Sequence, residues 1–300
     1  MIESILLSSV SEGLLFGFVT IGVFITFRVL AFPDLTVDGS FVTGGSVAAV
    51  MIAAGHNPFL ATFAALIAGL IAGTITATLN TAFRINALLS GILMMVGLYS
   101  VNLRIMHGAN IPLIRSITIF ESVAHFCSIR RSSVLIIYTL VVLAAIFFLA
   151  LNWLLRTEIG LALRASGDNE QMVRGLGSDT NKNVVLGCAI SNGLVALAGS
   201  LVAQSQGFCD VNMGIGMIVM GLAAVIIGEG LLHPRGIAKI LFACFVGTFL
   251  YRLFITIALR LGLAPGDLKL ITATLVVIVL GVPYVRKRLR GEWVPPAARM

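Results

Sequence analysis

The feature that most constrains this fold is a repeated interruption of long apolar sequence. Residues 32–39 read FPDLTVDG and residues 208–216 read FCDVNMGIG, and each follows a long apolar stretch. Both place Phe two residues before Asp and both end on glycine. Pro and Gly at membrane depth free backbone polar groups, which are tolerated there only inside protein or beside a wet cavity. We call these segments the first break and the second break. They predict a central transport pathway between two halves of the chain.

The composition predicts an integral membrane protein. Of the 300 residues, 58% are hydrophobic and only 11% are charged, whereas a soluble domain has about 45–50% apolar and about 25% charged residues. The net charge of +7 does not indicate nucleic acid binding. Its densest cluster, residues 286–290, follows the last apolar segment, where basic residues fix membrane topology.

Apolar segments of about 20 residues predict membrane-spanning helices. We expect nine, at 11–31, 40–55, 58–81, 87–106, 133–154, 184–206, 214–231, 237–259 and 268–284. The short segment 40–55 is typical of a helix that begins inside the protein after a break.

These spans predict one all-α transmembrane domain over residues 1–300. Two four-helix halves, at about 11–106 and 184–284, are joined by a linking helix at 133–154. A single crossing between the halves makes them inverted repeats, which commonly meet at a midplane site. With the basic tail in the cytoplasm, the N-terminus lies outside and the connection 156–183 is cytoplasmic.

Within that cytoplasmic connection we expect a short helix. Asp168 or Ser166 would cap its N-terminus, and Gly175 and Gly177 would end it. Its apolar side chains suit insertion into a groove on a soluble partner. An ordinary solvated loop helix is the alternative.

Several motifs carry a resemblance to a known family. The sequence TEIGLALRASGDN at 157–169, followed by RGLG at 174–177, resembles the coupling loop of ATP-binding-cassette (ABC) importer permeases. The subgroup is that of the branched-chain amino acid and ribose-type permeases. FPDLTVDGSF at 32–41 and LLSGILMMVGLYSVNLRIM at 88–106 narrow the resemblance to tryptophan/tyrosine permeases.

The resemblance implies a type II ABC importer fold with discontinuous helices in the bacterial cytoplasmic (inner) membrane. It implies a second permease chain, in a homodimer or pseudodimer, two cytoplasmic ATPase subunits and an extracytoplasmic solute-binding protein. ATP and Mg²⁺ would act on the ATPase, since this chain has no Walker motif, and we expect no cofactor, metal site or enzymatic activity here. Residues implied in ATPase docking are Asp168, Asn169, Glu170, Met172, Val173, Arg174 and Leu176.

The expected solute is an amino acid, aromatic or branched-chain, with sugars and nucleosides left open. Polar or large side chains at the breaks and on the fourth span are candidate pathway residues: Phe32, Asp34, Asp38, Ser90, Met94, Gln204, Gln206, Asp210 and Asn212. An ionisable group at membrane depth costs at least about 2.5–3.5 kcal/mol and is a functional hypothesis by default. For Asp34 and Asp38, capping of the following half-helix is the alternative to contact with the solute.

Other interpretations stay open. An ion-coupled secondary transporter also has inverted repeats and broken helices, but the connection 156–183 favours the ABC importer. Glu229 is expected to pair with Arg84 or Lys239. A disulfide between Cys127 and Cys209 is not expected. The outer connection 107–131 would lie on the membrane surface or help to dock the solute-binding protein.

Overall fold

The computed structural model describes residues 2–114, 116–126, 133–262, 265–267, 270–274, 276–277 and 281. Over these residues the fold is almost entirely helical. The helices are α1 (Ile2–Phe24), α2 (Thr36–Ala53), α3 (Pro58–Thr81), α4 (Ala87–Met106), α5 (Ile119–Phe126), α6 (Ser133–Leu154), α7 (Glu158–Asp168), α8 (Glu170–Gly175), α9 (Thr180–Gln206), α10 (Met217–Leu232) and α11 (Ile237–Arg260). Two short strands, β1 (Asn110–Pro112) and β2 (Phe208–Asp210), were not expected from the sequence.

Seven helical segments among the described residues are long and apolar enough to cross a membrane. They are α1 with the π-helical turn that extends it to Val29, and α2, α3, α4, α6, α9 and α11. Each coincides with a predicted span. At the predicted span 214–231, α10 is apolar but has only 16 residues, fewer than the roughly 20 of a full crossing. The predicted span 268–284 lies mostly outside the described residues, and the basic tail lies wholly outside them.

The first break separates α1 from α2. Pro33 has no N–H group, and its ring disfavours helical backbone at the preceding residue. The chain therefore leaves the helix through a π-helical turn, Ile25–Val29. The N–H of Phe32 donates to the Thr26 carbonyl at 2.8 Å. Helix α2 then begins at Thr36, inside the first break rather than at the predicted residue 40.

Helix α9 lies at the centre of the bundle and is approached closely by α2. A Cβ atom added to Gly44 would overlap the Ala196 carbonyl, and one added to Gly199 would overlap the Phe41 carbonyl. Each helix therefore supplies a glycine against the backbone of the other. Small residues at such positions let helix backbones approach in a membrane.

The helix contacts of the two halves correspond. Helices α2 and α3 pack on each other and on α9, while α10 and α11 pack on each other and on α1. Helices α1 and α9 also pack on each other, as do α2 and α10. If α1 is matched with α9, α2 with α10 and α3 with α11, each of these contacts in one half has its counterpart in the other.

The connection after α4 packs on the second break and on the helices. Strand β1 pairs antiparallel with β2, which brings Asn110 opposite Asp210. Thr118 and Glu121 then exchange side-chain to backbone hydrogen bonds at the start of α5, in a capping box. Phe120 of α5 is buried in the main core. Over these residues the connection after α4 is therefore anchored to the bundle.

Candidate functional site

The carboxylate of Asp34 is buried where the first break meets α9. Its Oδ1 accepts the N–H of Thr36 at 2.8 Å, and its Oδ2 accepts the Asn192 Nδ2 group at 2.6 Å. The Oδ1 of Asn192 accepts the Ser40 hydroxyl at 2.7 Å. The Thr36 hydroxyl also contacts the Thr76 hydroxyl of α3 at 2.8 Å. Asp34 thus satisfies an amide at the start of α2, as the capping interpretation expected, and ties that helix to α9.

The carboxylate of Asp38 reaches the start of α10 in the other half. Its Oδ2 accepts the N–H of Gly216 at 3.0 Å, and its Oδ1 accepts the N–H of Ile218 at 2.9 Å. The first amides of a helix have no intrahelical partner and form the positive end of its dipole, so a carboxylate is stabilised there. The expectation that Asp38 caps its own half-helix is wrong. Because α2 already begins at Thr36, Asp38 lies within the first turn of α2 rather than ahead of it.

Glycines shape the second break. Gly207 ends α9 with φ +80°, and Gly216 precedes α10 with φ +89°. Both values lie in the left-handed region, which glycine adopts without a steric penalty. A Cβ atom at Gly214 would overlap the Asp38 carbonyl. The second break therefore lies directly against the first turn of α2.

A cleft of about 390 Å³ lies beside this contact. It is bounded by α2, α4 and the second break, and Asp38, Met95, Tyr99, Asn102 and Ile215 are among its lining residues. Ser100 adds a hydroxyl, and a mostly apolar wall with a few polar groups (here one carboxylate, one phenol, one hydroxyl and one amide) is typical of a small-molecule site.

Most of the other predicted pathway residues lie in helix packing or near the chain surface. Phe32 and Ser90 are buried. Gln204 is buried too, and it donates to the Thr62 hydroxyl at 2.8 Å and accepts the Ile119 N–H at 2.9 Å. This is the interhelical bonding that competes with a pathway role.

The remaining four lie outside this buried network. Met94 is half-buried on α4, while Gln206 and Asn212 are exposed. Asp210 is half-buried and accepts the N–H of Asn212 at 2.8 Å, in a local turn. Of the nine predicted pathway residues, all of them described, Asp38 alone lines the cleft. Transport roles for the others stay predictions.

The predicted set omits Asn192, Tyr99 and Ile215. Asn192 has a detectable signal, because an amide in the middle of an apolar span must find a partner. Tyr99 likewise interrupts the apolar pattern of the fourth span. Ile215 has no chemical signal, and only the folded second break brings it to the cleft.

The connection 156–183 contains two helices, α7 and α8. Asn169 lies between them, and its side chain accepts the Met172 N–H at 3.0 Å, so Asn169 caps α8. The prediction that Asp168 or Ser166 caps this helix is wrong, because both residues belong to α7. The Ser166 hydroxyl instead accepts the Asn183 Nδ2 group at 2.8 Å.

The apolar side chains of this connection differ in exposure. Met172 is 58% exposed and Leu176 is 76% exposed, whereas Val173 is 4% exposed. Val173 therefore holds α8 to the rest of the chain. Met172 and Leu176 are exposed apolar side chains that a partner can contact, as are Ile159 and Leu161 on α7.

Polar contacts fix α8 to the start of α9. The Arg174 Nε group donates to the Thr180 hydroxyl at 2.7 Å, and Arg174 also pairs with Glu170 at 2.6 Å. Asp179 precedes α9 and accepts the Lys182 N–H at 3.4 Å. This backbone hydrogen bond is the main cause that holds the pKa of Asp179 below its usual range.

Two further expectations concern Glu229 and Cys209. Glu229 pairs with Arg28 rather than with Arg84 or Lys239, because the π-helical turn after α1 brings Arg28 to α10.

Cys209 is a buried free thiol, and burial raises its pKa to about 12. Cys127 lies outside the described residues. No group of three or more His, Cys, Asp or Glu suited to a metal ion occurs in the described part of the chain.

The apolar helices of the two halves make corresponding contacts, and the two breaks touch each other beside buried polar groups. These features define a multi-pass membrane protein of the transport-permease class. The model of the family described as branched-chain amino acid transport system / permease component matches residues 5–281. The chain belongs to this family.

Individual relatives agree with that assignment. The chain is 41% identical over 293 residues to a tyrosine transport system permease protein of Clostridioides difficile (strain R20291), covering 97% of this chain and 96% of the relative. It is 37% identical to an uncharacterised protein of Rickettsia prowazekii, covering 92% of this chain and 97% of the relative. An autoinducer 2 import system permease protein of Yersinia pseudotuberculosis is 32% identical over 49% of this chain and 41% of the relative. No solved structure matches the chain.

Proposed function

We propose that this permease moves an amino acid, with tyrosine or another aromatic amino acid as the first candidate, across the bacterial cytoplasmic membrane. The observation that carries the solute class is the near full-length similarity to a tyrosine transport system permease. Translocation is driven by ATP and Mg²⁺ on a separate ATPase dimer. An extracytoplasmic solute-binding protein delivers the solute, and a second copy of this chain completes the membrane domain.

The route runs along the contact between the two breaks. The corresponding helix contacts of the two halves support an inverted repeat with a ninth span near the C-terminus. Asp38 connects the first half to the start of α10 beside the cleft of about 390 Å³. Rocking of one half against the other opens the cleft to each side in turn, in the manner of inverted-repeat transporters.

The connection 156–183 receives the force from the ATPase. Helix α8 supports this role because its caps and its bonds to α9 leave Met172 and Leu176 exposed on a short, anchored helix. Helix α9 begins at Thr180, at the end of this connection, and reaches the buried Asp34 network. Movement of α8 is thereby transmitted to the first break. The N-terminus faces outward and the C-terminus lies in the cytoplasm.

Reconstitution in proteoliposomes tests this function. The permease is combined with its ATPase and its solute-binding protein, and uptake of labelled amino acids, ribose and a nucleoside is measured with and without ATP. ATP-dependent uptake of an aromatic amino acid is expected. Uptake driven by an ion gradient without ATP would identify a secondary transporter, and uptake of ribose or the nucleoside alone would refute the amino acid assignment.

A further inference from the structure

A charged side chain lies inside the apolar helix α11. Lys239 is in the first turn of this helix and Arg260 is its last residue, where both reach the ends of the span. Arg252 lies in the interior, and its side chain is only 16% exposed. Charged residues at such depth are costly, and they almost always face a bundle interior or a cavity.

The guanidinium of Arg252 is held from one side by α1. Its Cζ lies 3.4 Å from the centroid of the Phe16 ring, in a cation–π contact. Phe16 itself stacks on Phe41 of α2, with centroids 6.0 Å apart. One Nη group of Arg252 reaches Glu12 at 3.5 Å. These contacts fix the plane of the guanidinium, but they use only a small part of its hydrogen-bonding capacity.

Arg252 retains unused donors. The guanidinium has five N–H groups, and its Nε is buried without a hydrogen-bond partner among the described residues. The bond to Glu12 is long for a charge-assisted pair, which is normally about 2.7–2.9 Å. The Glu12 side chain is also 43% exposed, so the pair is only partly enclosed by the chain. A buried donor left unpaired is destabilising, so the described residues satisfy the guanidinium of Arg252 incompletely.

Arg252 lines a second cavity, of about 410 Å³, between α10, α11 and residues 272–273. Tyr251, Met220 and Thr272 also line it, and the Tyr251 and Thr272 hydroxyls bond each other at 2.8 Å. Ile215 of the second break lines both this cavity and the Asp38 cleft. The cavity therefore borders the proposed route rather than standing apart from it.

We propose that Arg252 binds the carboxylate of the transported solute in this cavity. This inference rests on the proposed amino acid transport function and adds a recognition residue to it. The planar fork of a guanidinium matches the two oxygens of a carboxylate, and the apolar walls accommodate the solute side chain. Phe16 and Glu12 orient Arg252 for this contact.

The test uses the reconstituted importer with [³H]tyrosine as the probe. Arg252→Gln removes the charge, Arg252→Lys keeps a charge without the fork, and Arg260→Gln is the matched control at the end of the same helix. Loss of a hydrogen bond to a charged group weakens binding at least about tenfold, and uptake below saturation follows binding. We therefore expect at least that loss for Arg252→Gln, a smaller loss for Arg252→Lys and wild-type uptake for Arg260→Gln.

A charge swap separates solute binding from a structural ion pair. Glu12→Arg combined with Arg252→Glu restores a pair between α1 and α11 but reverses the charge that lines the cavity. We expect this variant to assemble with its ATPase and to hydrolyse ATP while tyrosine uptake stays at least about tenfold low. Wild-type uptake by the swap, or by Arg252→Gln, would overturn the inference and leave the proposed function intact. Failure of the wild-type importer to move any amino acid would overturn both.

Discussion

Asp38 on α2 accepts the backbone N–H of Gly216, the residue before α10, at 3.0 Å. The two residues belong to different breaks in different halves of the chain. The carboxylate of Asp38 therefore caps α10, a helix of the other half of the chain. The two half-helices α2 and α10 are joined at this point, and neither can shift along the other without disturbing the hydrogen bond.

Replacement of Asp38 by Ala should destabilise the permease. The amides of Gly216 and Ile218 lose their acceptor, and a lost helix cap with unpaired amides costs about 1–3 kcal/mol. Asp210→Ala is the matched control, because Asp210 accepts an amide within a local turn of the same break. The free energy of unfolding, measured by denaturant titration in detergent, should fall clearly more for Asp38→Ala. Equal losses in both variants would contradict a link between the halves.

The Asp34–Asn192 pair makes a prediction about hydrogen-bond direction. In Asp34→Asn the new amide cannot accept from both Thr36 and Asn192, so a buried donor is left unpaired at a cost of about 1–3 kcal/mol. Adding Asn192→Asp reverses the direction of this hydrogen bond. The amide now at position 34 donates to the carboxylate now at position 192. That carboxylate still accepts the Ser40 hydroxyl. The Nδ2 group of Asn192 also donates to the Cys188 carbonyl at 3.0 Å, and Asn192→Asp removes that hydrogen bond. We therefore expect the double variant to recover part of the unfolding free energy lost by Asp34→Asn. No recovery would show that the charge must lie on the first break.

Close backbone contact between α2 and α9 makes Gly44→Ala destabilising. The new Cβ would overlap the Ala196 carbonyl, and overpacking of this kind costs about 1–3 kcal/mol. Gly97→Ala on α4 is the control, because its Cβ would meet nothing within 4 Å. There the better helix propensity of Ala stabilises by up to about 1 kcal/mol. Thermal unfolding of both variants in the same detergent should shift in opposite directions.

Local patterns predict much of this fold. Apolar length locates seven crossing helices, and Pro33 with the glycines of 208–216 locates both breaks, because chain length across a membrane and backbone freedom are properties of short segments. The capping role of Asp34 follows in the same way, since its partner Thr36 is two residues away.

Contacts between distant segments could not be predicted in this way. Asp38 bonds the second break only because α2 begins earlier than its apolar pattern suggests. Glu229 meets Arg28 only because α1 ends in a π-helical turn. The sequence of α8 does not show which of Met172 and Val173 is buried, because the two are adjacent apolar residues. Only the way α8 packs on the rest of the chain decides it.

That difference within α8 makes the last prediction. Met172→Asp with Leu176→Asp changes only exposed side chains, so the permease should remain as stable as the wild type. Uptake and co-purification of the ATPase should both be lost, because charges replace the apolar contacts that the partner groove requires. Val173→Asp should behave differently. It buries an unpaired carboxylate and should lower the free energy of unfolding by several kcal/mol, whether or not the ATPase is present. Thermal unfolding of the permease alone, beside co-purification from membranes that contain both chains, distinguishes the two effects. Retained ATPase binding in a stable Met172→Asp, Leu176→Asp variant would place the docking contact elsewhere.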